Sequence, residues 1–74
     1  MYNLLIPLIM KYEIDNNGFV TATKDTPKEV VEALIDFGVV EDDGIDNDNA
    51  EWVIGLMKPG DKKRFYWCYV TCIE

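Results

Sequence analysis

Seventy-four residues, 14 of them acidic and 7 basic, make one domain at most, spanning 1–74 and carrying a net charge of −7. A domain of that size buries only about 60% of the surface its unfolded chain exposes, so its core must be small and continuous. The chain has no histidine, serine or glutamine, which excludes Ser-His-Asp and Cys-His schemes, so no enzyme and no cofactor is expected. The negative balance also argues against direct binding to nucleic acid or an anionic membrane, because phosphate contacts need clustered cations.

The opening MYNLLIPLIMKYE is apolar from Leu4 to Met10 apart from Pro7. It lacks a basic residue ahead of it, a small-residue cleavage site after it and the ~20 apolar residues of a membrane span. It is therefore expected to belong to the fold, with the cytoplasm as the default compartment.

LIMKYEIDNNGFVTATK reads as a β-hairpin. A two-residue Asn17-Gly18 turn would pair Ile14 with Thr21 and mix apolar with polar side chains on both faces. A three-residue loop over 16–18 pairs Ile14 with Val20 and Tyr12 with Ala22, keeps one apolar face, and is the expected register.

TPKEVVEALIDFG carries the marks of a helix. Thr26 is the N-cap, Pro27 takes the first helical position, Glu29 completes a capping box and Gly38 supplies a left-handed stop. Val30, Leu34 and Phe37 share one stripe, while Glu29, Glu32 and Asp36 share the opposite one.

VVEDDGIDNDNAE follows as a polar loop. Its oxygens invite a calcium reading, but from Asp46 onward Glu51 stands where an EF-hand needs glycine and Met57 where it needs glutamate. A solvated acidic loop is expected, with a small metal-binding protein using residues 41–51 as a distant alternative.

EWVIGLMK and RFYWCYVTCIE are expected as strands joined by a five-residue turn, Pro59 to Lys63, with Gly55 marking a bulge. Cys68 and Cys72 would lie on one strand face roughly 13 Å apart, too far for a disulfide, and so read as reduced thiols.

The order is then ββαββ, an α+β fold with a four-stranded mixed sheet and one helix packed on one face. The two most apolar strands, the first and last, should occupy the centre and run parallel, giving the β-grasp-like order 2-1-4-3. This is a likeness of topology, carried by no sequence motif.

A single helix covers one sheet face. Assigning Met10, Tyr12, Ile14, Val20, Ala22, Phe65, Trp67, Tyr69 and Ile73 to that side leaves Tyr66, Cys68, Val70 and Cys72 facing away, joined by Leu5, Ile9 and one side of the third strand. Such an apolar face is an expected contact for another protein or for a second copy in a homodimer. The other candidate surface is acidic. From Glu29 through Met57 there are nine carboxylates and no lysine or arginine, so Glu29, Glu32, Asp36, Asp42 and Asp43 form a negative pole. The expected function is a non-catalytic protein-binding module, an inhibitor or regulator, with an acidic nucleic-acid mimic as the alternative.

Overall fold

The computed structural model describes residues 10–73. They form β1 (Tyr12–Asn16), β2 (Phe19–Lys24), α1 (Pro27–Asp36), α2 (Gly44–Gly55), β3 (Lys62–Phe65) and β4 (Cys68–Cys72). The four strands make one sheet of order β2-β1-β4-β3. The α+β class and this strand order agree with the sequence reading. The single helix and the parallel central pair do not.

EWVIGLMK is not a strand: most of it is the second half of α2. That one change inverts the sheet. A lone helix would carry the chain from the end of β2 to the opposite end of the sheet and set β4 parallel to β1. Two successive helices bring it back to the end it left, so β3, on the far edge, starts at the end of the sheet where β2 finishes, and β4 runs antiparallel to β1, pairing Ile14 with Val70.

The first hairpin takes neither the expected register of a three-residue loop nor that of a plain two-residue turn. Asn17 and Gly18, at φ 56° and 89°, form a two-residue turn with both central residues left-handed, the type that matches strand twist. Uninterrupted, that turn would set Ile14 against Thr21. A bulge intervenes: Asp15 pairs with Val20, Ile14 pairs with Ala22, and Thr21 is the extra residue, its hydroxyl donating to the Ile14 carbonyl at 3.4 Å. The bulge satisfies the turn and still delivers an apolar face.

RFYWCYVTC is two strands, not one. Phe65 pairs with Cys68, so Tyr66 and Trp67 are the turn between β3 and β4. The expected connection over 59–63 is replaced by a tight turn after α2, in which the Lys58 amide donates to Asp61 Oδ2 at 2.8 Å.

The turn at Tyr66-Trp67 also settles which face is inside. Tyr12 and Ile14 of β1 and Cys68, Val70 and Cys72 of β4 are essentially inaccessible and join Val30, Val31 and Leu34 of α1 and Ile54 of α2 in one core. Both helices therefore lie on this face. Tyr12 and Ile14 were assigned to it correctly. Cys68, Val70 and Cys72 were assigned to the opposite, uncovered face, which is the wrong way round. Of the others assigned inside, Trp67 is in the turn, Val20 and Ile73 are exposed, and Tyr69 lies on the outer face. The outer face is polar, with Glu13, Asp15, Tyr69 and Thr71 on its central strands. Leu5 and Ile9 lie outside the described residues.

α1 starts as its sequence requires. The Thr26 hydroxyl oxygen accepts from the Glu29 amide at 3.2 Å and donates to Glu29 Oε1 at 3.0 Å. Gly38, at φ 80°, ends the turn after it.

Candidate docking surface

α2 begins at Asp43, whose Oδ1 accepts from the Asp46 amide at 2.9 Å. That is an N-cap, worth about 1 kcal/mol. Beyond it the helix is apolar on two opposite sides. Ala50, Ile54 and Met57 point inward and are buried. Ile45, Trp52 and Leu56, seven and four residues apart, fall within about 40° of arc at 100° per residue and are 75%, 69% and 60% exposed. A surface helix ordinarily carries one apolar stripe. The outer one here stands apart from the core.

Asp48 and Glu51 border this stripe, and further carboxylates lie along both helices. Asp42, Asp43, Asp46, Asp48 and Glu51 are exposed on or just before α2, and Glu29, Glu32 and Asp36 are exposed on the outer side of α1. Among the described residues the one ion pair is Lys11 with Asp25, at 4.0 Å, so none of these eight is neutralised by a basic side chain. Lys62, Lys63 and Arg64 are exposed on the edge strand β3, where Lys62 Nζ sits 4.8 Å from the centre of the Tyr69 ring. Positive and negative charge are thus segregated, the helices acidic and one sheet edge basic. Charged side chains on a short edge strand also discourage unwanted strand pairing.

Two hollows flank the groove between the helices. One, of about 420 Å³, is lined by Glu32, Asp42, Asn47, Asp48 and Glu51, with Lys28 at its rim. The Oδ1 of Asn47 is buried there without a hydrogen-bond partner. The other, of about 460 Å³, is lined by Pro27, Trp52, Gly55 and Leu56 and shares Asp48 and Glu51 with the first.

Of the residues expected at a site, Glu29, Glu32, Asp36, Asp42 and Asp43 are exposed on the helical side. Two of them also have structural duties, Glu29 in the α1 cap and Asp43 as the α2 cap. Tyr66 is exposed, but in the turn and not on a sheet face. Cys68, Val70 and Cys72 are core, and the homodimer expected through them has no such surface to use. The residues that sequence reasoning missed are Ile45, Trp52 and Leu56. Two features could have revealed their helix: Asp43 placed three residues before Asp46, and Ala50, Ile54 and Met57 at helical spacing.

Cys68 is no candidate nucleophile. Burial first, and the negative charge of Asp15 second, push its thiol pKa up, which disfavours the reactive thiolate. Loop 41–51, the distant candidate for a cation, is largely helix, and among the described residues no group of three or more Cys, Asp and Glu side chains is placed to hold a metal ion. Among them, too, no helix is long and apolar enough to cross a membrane.

A second aromatic feature lies at the turn end of the sheet. Tyr66 and Trp67 are 71% and 45% exposed and Phe19 is 74% exposed. The Asn17 amide donates to the Trp67 carbonyl at 3.2 Å and joins the two turns. A hollow of about 430 Å³ separates this end from α2.

No protein-family model matches the chain, and no curated protein or solved structure matches it significantly.

Proposed function

We propose that the chain is a non-catalytic protein-binding module, a small inhibitor or regulator, whose docking face is the solvent side of its two helices. The observation that carries this is the outer apolar stripe of α2, Ile45, Trp52 and Leu56, set among exposed carboxylates without basic partners among the described residues. Large apolar side chains ringed by polar ones are the usual anatomy of a protein contact. The residue inventory supports the non-catalytic part, since histidine and serine are absent and the buried Cys68 thiol is held protonated.

Affinity capture from the native host tests the reading. A partner retained by the wild type should be lost on Trp52→Ala with Leu56→Ala, and kept by a variant changed at the other aromatic end, Trp67→Ala. Loss with the second variant and not the first would move the docking face to the sheet end.

The unpaired carboxylates favour a second reading, a nucleic-acid mimic that occupies a basic cleft of its target. Under that reading DNA or RNA competes with the module for its partner, and the α2 apolar residues contribute little. Under the first reading nucleic acid does not compete and Trp52 is essential.

A further inference from the structure

The groove between α1 and α2 places two kinds of receptor side by side. Asp48 and Glu51 wall both the acidic hollow toward Asp42 and the apolar hollow toward Trp52 and Leu56. Asp48 and Trp52 are four residues apart on α2, one helical turn, or about 6 Å along the axis. An occupant must therefore present a cation and a large apolar side chain about one turn apart. From this we infer that the groove binds a basic amphipathic helix of a partner protein, its lysine or arginine among Glu32, Asp48 and Glu51 and its apolar side chain on Trp52 and Leu56. The inference rests on the reading of the helical side as the docking face and adds the chemistry of what docks there.

Charge selects this occupant over the alternatives. Four carboxylates, Glu32, Asp42, Asp48 and Glu51, line the acidic hollow against the single ammonium of Lys28, which makes no ion pair among the described residues. A second copy docked groove to groove would bring the same carboxylates face to face, with a net charge of −7 on each side, and like charges juxtaposed across an interface are costly. An acidic or neutral helix would leave these groups without counter-charges. A helix laid in a groove, read through residues one turn apart, is an established mode of protein recognition.

Gly55 adds an independent sign. It is the last residue of α2 and lines the apolar hollow, where an added Cβ would meet only the Pro27 Cγ, at 3.9 Å. Alanine fits at this position without a clash and is the better helix former. No close contact in the fold requires glycine here, and its lack of a side chain leaves the hollow beside Trp52 and Leu56 wider.

The test uses the full chain with Trp67→Phe, so that Trp52 is the sole reporter of the two tryptophans. The probe is a synthetic amphipathic helix of leucine and lysine. Its controls are a scrambled isomer of the same composition and a leucine–glutamate analogue. The expected result is saturable binding of the leucine–lysine helix with a blue shift of Trp52 emission, at least tenfold weaker binding by the scrambled isomer, and none by the glutamate analogue. Leu56→Lys should weaken binding at least tenfold. Gly55→Ala should weaken it several-fold while raising the melting temperature, which separates the site from the fold even if Leu56→Lys is poorly folded. Equal binding of the scrambled isomer, or binding indifferent to both Leu56→Lys and Gly55→Ala, overturns the inference. So does self-association at micromolar concentration that Leu56→Lys abolishes, because the occupant is then a second copy. If a host partner needs Trp52 while the leucine–lysine helix does not bind, the inference fails and the docking-face reading stands. If the helix binds as expected and no host partner needs Trp52, the groove chemistry is right and the functional reading fails.

Discussion

Phe65 sits directly opposite Cys68 in the β3–β4 ladder, leaving Tyr66 and Trp67 to reverse the chain. Tyr66 pays a backbone cost for this, holding φ at 54°, a region that hinders any residue with a Cβ and suits glycine. Its carbonyl accepts from Arg64 Nε at 2.8 Å, which helps hold the turn. Tyr66→Gly is expected to stabilise the domain by about 1 kcal/mol, the approximate cost of a left-handed L-residue. The urea midpoint measures it, and a lowered midpoint would mean that the Tyr66 ring, 6.2 Å from that of Trp67, contributes more than the backbone costs.

Val70 is fully buried on a central strand, paired with Ile14 on one side and Lys63 on the other. Val70→Lys places an ammonium in the core without a partner and should cost several kcal/mol, most of the stability of a domain this small. Far-UV circular dichroism of the variant should show an unfolded chain. A folded variant would contradict the two-layer arrangement.

How much of this was legible in the sequence depended on whether a segment's local pattern agreed with its tertiary role. α1 was legible because cap, proline, single apolar stripe and terminal glycine all agree. α2 was not, because Trp52, Val53 and Ile54 resemble a strand, its first half is rich in helix-poor Asn, Asp and Gly, and apolar residues on two sides erase the amphipathic signature. The outer stripe that obscured the helix is the same feature that now nominates the docking face. RFYWCYVTC misled for a different reason. A turn made of aromatic residues shifts the alternation of sides, so Cys68, Val70 and Cys72 landed on the wrong face although their common face was read correctly. The acidic pole was legible because it depends on composition alone.

Tyr12 and Cys68 predict an alkaline limit. Burial, and then Cys72, push the Tyr12 pKa up, as burial and then Asp15 do for Cys68. The folded protein thus keeps protons that the unfolded chain loses first. Their contribution is complete below the ordinary thiol value, about pH 8.5, and is lost as pH rises through the raised folded values. The melting temperature should be level from about pH 7 to 8 and fall beyond about pH 9. A rise over that range would contradict the burial of both groups.

Neutralising the groove should separate charge from fold. Glu32→Gln, Asp48→Asn and Glu51→Gln together remove exposed like charges, none of them in a helix cap, and should leave stability unchanged or raise it by a few tenths of a kcal/mol. Thermal unfolding measures it. A loss beyond about 1 kcal/mol would show that these side chains hold the helices together.

The most direct measurement of the docking face is amide and indole N–H shift mapping by NMR during titration with the partner captured from the host. The account predicts that the shifts concentrate on the Trp52 indole and on the outer residues of α1 and α2, Glu32, Asp48, Glu51 and Leu56 among them, and that they diminish as salt rises. Shifts confined to the edge of β2, or to the Asn17-Gly18 and Tyr66-Trp67 turns, with the Trp52 indole unmoved, would contradict it.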